Sequence, residues 1–223
     1  EGGVPDRGFP SLRASLQLRL QQLSTAESQM LQAAALLGFS FLDRELQKML
    51  GAPPAAHAAA LDALLGQRLL LENPLPGAED YTFSHQTIHA ILLEDIPPDR
   101  HAGLHLQAAQ ALESLQSAAA RVAFHYEKAQ RPLDAARHWL QHAQDITDFA
   151  AFDQALEVIA RVETQLSHAE PQAHRWLAQA ALQRTNIALF QGQTAQVLQM
   201  ATPALDLCRA YPALHSRLQS IQG

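Results

Sequence analysis

The sequence from Tyr81 to His89, YTFSHQTIH, marks a change from strand to helix. Its first three residues alternate in the way that a strand with one buried face does. Just upstream, residues 68–72 form a second short apolar run, and residues 73–77, NPLPG, have the composition of a turn. The two runs therefore predict a hairpin, with His85 at the point where the chain leaves the hairpin and enters a helix.

Three short helices are predicted before this hairpin. Ser24 and Glu27 have the spacing of a capping box, and Gly38 suits the end of the helix that follows. The second helix is predicted from Leu42 to Leu50, and the third from Pro54 to Gly66, with proline acceptable in its first turn. A lead-in helix is predicted over residues 12–20, where leucines recur every four residues.

The order of three helices and a hairpin is that of a winged helix, a variant of the DNA-binding helix-turn-helix. The third helix, where a recognition helix would lie, contains the sequence AAHAAALDALL over residues 55–65. It lacks the Arg, Lys, Asn and Gln side chains that read base edges, and its small apolar surface suits packing against protein. DNA binding through this segment is therefore the less favoured alternative.

The chain after Pro97-Pro98 is predicted to be almost entirely helical. Small residues recur at helical spacing from Ala119, and large aromatic residues such as Tyr126 and Trp139 stand between them. Antiparallel helix pairs need small residues where they cross and large ones to fill the gap between layers, which is the logic of tetratricopeptide repeats. The period is imperfect, and glutamines along the segment predict a solvated, weakly charged face.

Composition restricts the class of protein. The chain has 223 residues, of which 48% are apolar, and a formal net charge of −6. We expect a soluble, cytoplasmic protein without direct nucleic-acid or membrane contact, since the 16 Lys and Arg residues are scattered and no apolar run is long enough for a membrane span. The single cysteine, Cys208, lies in an apolar run and is predicted to be a buried thiol.

The series of motifs resembles one family. Over residues 10–205, the winged helix, the Phe-Ser-His segment ending at His85, Pro-Pro-x-Arg ending at Arg100, Ala-x-Ala-Leu-Glu ending at Glu113 and Ala-x-His-Tyr ending at Tyr126 follow one another in this order. The series is similar to the sensor side of bacterial STAND-type signalling ATPases, including transcription regulators of the maltose-activator, LuxR and antibiotic-regulatory types. The resemblance implies ATP or ADP bound by an upstream P-loop domain of the full-length protein, and no cofactor in this segment.

The resemblance also implies a role for His85 as a nucleotide sensor, because some relatives carry an equivalent histidine that touches the diphosphate of ADP. An imidazole can donate a hydrogen bond to a phosphate oxygen, or pair with it when protonated. His89, Arg100 and His101 are supporting candidates, although the family often has arginine where this chain has His89 and His101. The structural alternative is that His85 caps the following helix or packs in the core.

Two pairs of histidines have the spacing of a possible catalytic or metal-binding site. His85 and His89 imitate the zinc-protease pattern His-Glu-x-x-His, but Gln86 stands in place of the general base and cannot accept a proton. His101 and His105 are a second pair four residues apart, without a third ligand that can be placed from the sequence. We therefore predict no catalytic residue and no native metal site.

The sequence thus predicts a mostly α-helical fragment with a linker or junction at residues 1–11, a winged-helix domain at 12–97 and a tetratricopeptide-like helical array, an α-solenoid, at 98–223. The expected function is regulatory. An inducer or protein partner would bind the repeats and change the conformation of an upstream nucleotide-binding domain of the same chain. A plain protein-interaction scaffold without nucleotide control is the alternative.

Overall fold

The computed structural model describes residues 12–74, 79–166 and 171–222. Within them the chain forms twelve helices and three short strands, which confirms the mostly α-helical class. The chain divides into two compact units, residues 1–111 and 112–223. The predicted linker at residues 1–11 lies outside the described residues. In the described part of the chain, no helix is both long enough and apolar enough to cross a membrane.

The first unit contains five helices and three short strands among its described residues before Pro98. Its elements are α1 Leu12–Gln21, α2 Thr25–Leu37, β1 Ser40–Phe41, α3 Asp43–Leu50, α4 Pro54–Gly66, β2 Leu70–Glu72, β3 Tyr81–Phe83 and α5 Gln86–Glu94. Helix α6, Pro98–Ser114, begins in the first unit and ends in the second. The predicted helices agree with α2, α3 and α4 to within one residue.

The ends of α2 and α3 form where the sequence placed them. The backbone N–H of Ser24 donates to Glu27 Oε2 at 2.7 Å, and the N–H of Glu27 donates to Ser24 Oγ at 3.3 Å, which completes the capping box. Gly38 ends α2 with φ of 141°, and Gly51 ends α3 in the left-handed conformation with φ of 60°. These conformations favour glycine because it lacks a Cβ.

The three strands form one antiparallel sheet in the order β1-β3-β2. Leu70 pairs with Phe83 in the predicted hairpin, and Phe41 of β1 pairs with Tyr81 on the other edge of β3. Strand β1 was not predicted, because two residues are too short to show an alternating pattern. Residues 75–77 of the predicted turn lie outside the described part.

The core of the first unit forms where α2 contacts α3, α4 and α5. Phe41 and Phe83 are almost completely buried, and their ring centroids are 6.1 Å apart. On α2, the apolar stripe predicted from the sequence, which includes Met30, Leu31 and Ala34, is buried. This packing fixes the direction in which α5 leaves the sheet.

The second unit consists of helical hairpins. Its helices after α6 are α7 Ala119–Lys128, α8 Pro132–Asp148, α9 Phe152–Gln165, α10 His174–Phe190, α11 Thr194–Cys208 and α12 Pro212–Gln222. Successive helices contact one another, and α10 also contacts α8 and α12. Helices α8, α10 and α12 therefore form one layer of the unit.

Three turns between these helices have the same geometry. Gln130, Ala150 and Gly192 each adopt a left-handed conformation, with φ of 58°, 60° and 70°. In each case the next residue donates its N–H to the carbonyl five residues before it, as in the bond from Ala151 to Ile146. This is the Schellman arrangement of a helix end, and it recurs in these three turns of the second unit.

Candidate functional site

His85 lies at the junction of β3 and α5 with its side chain exposed. It occupies the N-cap position of α5 with extended backbone angles, and its side chain makes no capping hydrogen bond. Its carbonyl accepts the N–H of Ile88 at 3.1 Å, so its backbone rather than its ring begins the helix. His85 therefore fills neither of the two structural roles considered from the sequence, capping by the side chain or packing in the core.

His89, one turn later, is bound within its own unit. Its Nε2 is 2.9 Å from the carbonyl oxygen of Ala35 on α2, and because that oxygen only accepts, Nε2 carries the proton. The His89 ring also lies edge-on to Phe83, with centroids 5.3 Å apart, and near Phe39 at 6.0 Å. The Nε2 of His89 thus holds α5 against α2, and that nitrogen has no lone pair left to bind a metal jointly with His85.

Arg100 on α6 is exposed and lines two cavities of the first unit, of about 380 Å³ and 530 Å³. Gln29 and Gln32 of α2 also line both cavities. Arg100 forms no ion pair with any residue in the described part of the chain. Its guanidinium is therefore available to an acidic or polar group that enters either cavity.

His101 lies beside Arg100 in sequence but contacts a different group. Its ring centroid is 6.0 Å from that of His105, which is buried. Within residues 12–74, 79–166 and 171–222, no hydrogen bond or ring contact joins any two of His85, His89, Arg100 and His101. The four sequence-predicted residues are therefore not assembled into one cluster by direct contact.

The second unit has a cavity of about 370 Å³ on the layer formed by α8, α10 and α12. Amide and guanidinium groups dominate its lining, which consists of Arg137, Leu140, Gln141, Gln144, Trp176, Gln179, Gln183 and Arg217. From the sequence, the glutamines predicted only a solvated face, and Trp176 a core or groove position. The spacing of Gln141 with Gln144 and of Gln179 with Gln183 was the available signal, but nothing in the sequence showed that the two pairs would face one cavity.

A carboxylate at the edge of this layer links three helices. Glu113 of α6 accepts hydrogen bonds from the Tyr126 hydroxyl of α7 and from the Arg137 guanidinium of α8. Burial alone raises the pKa of Glu113, but these bonds outweigh it and the pKa lies below its usual value. Burial and the bond to Glu113 raise the pKa of Tyr126 well above its usual range, so the hydroxyl keeps its proton. Arg137, which lines the cavity, is thereby held in place by Glu113.

A second carboxylate repeats this arrangement one helix later. Glu127 of α7 accepts a hydrogen bond from Trp139 Nε1 of α8 at 3.0 Å and two from Arg161 of α9 at 2.7 and 2.9 Å. The Arg161 guanidinium also lies 4.6 Å from the centroid of the Trp139 ring. We call the two sets, Glu113 with Tyr126 and Arg137, and Glu127 with Trp139 and Arg161, the carboxylate links. The first link joins α6, α7 and α8, and the second joins α7, α8 and α9.

The remaining candidate groups are structural. His125, Tyr126 and Trp139 are buried between helices, as their helical spacing predicted. Cys208 is completely buried with its sulfur 3.7 Å from the carbonyl oxygen of Ala178, and burial raises the pKa of the thiol. Over the described ranges, no group of three or more His, Cys, Asp or Glu side chains is arranged to hold a metal ion.

No family model matches this chain, and no curated protein or solved structure matches it either.

Proposed function

We propose that this chain is the regulatory part of a STAND-type ATPase transcription regulator, in which the helical hairpins bind an inducer or protein partner and the winged-helix unit contacts a nucleotide-binding domain. The exposed side chain of His85 carries this proposal. A histidine at a strand-to-helix junction that neither caps the helix nor enters the core is suited to contact a group outside its own unit. In this proposal that group is the diphosphate of ADP bound by an upstream P-loop domain of the same protein.

Arg100 and the cavities around it support the same reading. An arginine without a carboxylate partner is a ready donor to an anion or to a polar domain surface. His101 follows Arg100 in the sequence, and in this proposal it supports the same contact with the nucleotide or its domain. His89 would act only indirectly in this scheme, because its ring holds α5, and therefore His85, against α2.

The mechanism is a shift between two conformational populations. An inducer can favour the open state only if it binds the open and closed states with different affinities. Loss of a single charge-assisted hydrogen bond to phosphate corresponds to about 1.5–3 kcal/mol, or roughly a tenfold to hundredfold change in ADP affinity. The His85 contact alone is thus large enough to alter the resting activity.

The test compares His85→Ala with His215→Ala, a matched control on α12, in the full-length protein. We expect His85→Ala to release ADP at least tenfold faster and to raise basal transcription, and His215→Ala to leave both unchanged. Wild-type ADP release and wild-type basal transcription in His85→Ala would overturn the proposal, as would a full-length reading frame without a P-loop.

A scaffold without nucleotide control is the second candidate, and the amide-lined cavity of the second unit favours it. DNA binding by α4 is the weakest candidate. The side chains that α4 exposes are mainly alanines and Asp62, which supply neither the positive charge nor the hydrogen-bond donors that DNA requires. Partner binding without any response to nucleotide would favour the scaffold.

A further inference from the structure

Gln183, which lines the cavity on α8, α10 and α12, has a buried hydrogen-bonding atom without a partner among the described residues. Gln183 is 6% exposed, and its Nε2 donates to the carbonyl oxygen of Leu140 at 2.9 Å. This bond fixes the orientation of the amide, since a carbonyl can only accept. Gln183 Oε1 is then a buried acceptor for which the described residues supply no donor. A buried carbonyl left unsatisfied is unfavourable, so a ligand that brings an N–H or O–H to it is favoured.

Two glutamines of α8 present the same type of group. Gln141 Nε2 donates to Asp145 at 2.8 Å, and Gln144 Nε2 donates to Asp148 at 2.9 Å, so each amide has one N–H already engaged within the helix. The carbonyl ends of both amides remain as acceptors. The carbonyl oxygens of Gln141, Gln144 and Gln183 can therefore accept hydrogen bonds from one ligand that has several N–H groups.

The guanidinium groups of Arg137 and Arg217 also line the cavity, and their positive charge favours a negatively charged group on the same ligand. Arg137 is already paired with Glu113, whereas Arg217 forms no ion pair with a described residue. A carboxylate that enters the cavity can therefore bind Arg217 without breaking an existing ion pair. Trp176 adds an apolar surface at the same site.

We propose that this cavity binds an extended acidic peptide segment of a protein partner. A peptide backbone repeats N–H donors at short intervals, which suits the glutamine carbonyls, and an Asp or Glu side chain of the peptide pairs with Arg217. The cavity volume of about 370 Å³ accommodates a few residues of such a segment. This inference rests on the proposed function only in treating the helical hairpins as the part that binds the effector.

The test begins with the full chain and a library of N-acetylated, C-amidated octapeptides in which one position is Glu or Gln and the others vary. We expect the retained peptides to be enriched in Glu over Gln at the fixed position. A retained peptide, labelled with fluorescein, is then titrated with the variants by fluorescence anisotropy. Gln183→Met is expected to weaken binding several-fold, the effect of losing one hydrogen bond between neutral groups, and Arg217→Gln about tenfold, the effect of losing a hydrogen bond between charged groups.

Matched controls separate binding from folding. Gln154→Met and Arg209→Gln change the same residue types outside the cavity and are expected to stay within twofold of wild type. Gln183→Met removes an unsatisfied buried acceptor but also the hydrogen bond that Gln183 donates to Leu140. These two changes oppose each other, so its melting temperature is expected to stay close to that of wild type. If it melts lower, Arg217→Gln, at an exposed position, decides the test alone.

Three results would each overturn the inference. They are equal retention of Glu and Gln peptides, wild-type peptide affinity in Arg217→Gln, and binding of N-acetylglutamate that is as tight as binding of the peptide. The last result would indicate a small carboxylate ligand instead of a protein segment. Peptide binding is measured without nucleotide, so its failure is distinct from failure of the His85 experiment.

Discussion

The two units of this chain bury different kinds of side chain. In the first unit, Phe41, Phe83 and the aliphatic residues of α2 form a large apolar core around a small sheet. In the second unit, completely buried alanines such as Ala123, Ala135 and Ala143 let helices approach closely, and the carboxylate links join one helix to the next. The first unit therefore depends on a few large side chains, whereas the second distributes its stability over repeated contacts.

The largest expected effect follows from removal of one aromatic ring of the first unit. Phe83 is 1% exposed and contacts both Phe41 and His89. Phe83→Ala should lower the free energy of unfolding of the first unit by about 3–5 kcal/mol, through lost burial and the cavity left behind. Hydrogen exchange measured by mass spectrometry should show faster exchange in α2 and α5.

Both tryptophans, Trp139 and Trp176, lie in the second unit, so their fluorescence reports that unit alone. The denaturation midpoint seen by fluorescence should stay unchanged in Phe83→Ala. Phe149→Ala, at a residue that is 85% exposed, is the control and should change stability by less than about 0.5 kcal/mol. An equal shift of the fluorescence midpoint in Phe83→Ala would show that the two units unfold together, and it would contradict the difference between them described above.

A smaller effect is expected for the second carboxylate link. Glu127→Gln weakens the bonds to Trp139 and Arg161 and should cost about 1–3 kcal/mol. Burial raises the pKa of Glu127, but the bonds from Arg161, Gln165 and Trp139 outweigh it and lower the pKa below its ordinary value of 4.5. The stabilisation is therefore complete above that value and is lost as the pH falls through the pKa of the folded state.

Urea denaturation followed by tryptophan fluorescence measures this effect. The difference between wild type and Glu127→Gln should be largest at neutral pH and should shrink as the pH falls below 4.5. Glu157→Gln on α9, an exposed position, is the control and should show little difference at either pH. A difference that does not depend on pH would mean that the charge of Glu127 is not what stabilises the second unit.

The smallest effects concern the repeated turn. Gly192 has φ of 70°, and an added Cβ would meet nothing within 4 Å, so Gly192→Ala tests backbone conformation alone. It should cost about 1 kcal/mol, while Ala150→Gly at the equivalent turn should stabilise by about 0.5 kcal/mol. Gly103→Ala inside α6 is the control of opposite sign, with an expected gain of about 0.5–1 kcal/mol. Thermal melts measure all three, and a stabilising Gly192→Ala would contradict the shared turn geometry.

Local signals were sufficient to predict the first unit in large part. The Ser24 capping box, the glycines that end α2 and α3, and the hairpin pairing of Leu70 with Phe83 depend on residues that are close in sequence. Strand β1 was not predicted, because its pairing with β3 joins Phe41 to Tyr81, which are far apart in sequence. No periodicity exists in two residues to indicate such a partner.

The exposure and the contacts of the candidate site residues could not be predicted, because they depend on residues that are far apart in sequence. The sequence placed His85 at the correct junction, but only the fold shows that its ring is exposed while that of His89 is held by Ala35 and the phenylalanines. The carboxylate links also join residues separated by one or two helices, and such pairs leave no periodic trace. The roles of Gln183 and Arg217 depend on three helices that meet at one cavity.

The most direct test of the proposed function measures how exposed the His85 ring is in the full-length protein, with and without ADP. Hydrogen exchange at the imidazole C2 position, followed by mass spectrometry, reports each histidine separately. We predict that ADP slows exchange at His85 at least tenfold and leaves exchange at the half-buried His215 unchanged. If exchange at His85 is equally fast with ADP, without ADP and in the isolated chain, the result contradicts the proposal that this ring contacts the nucleotide.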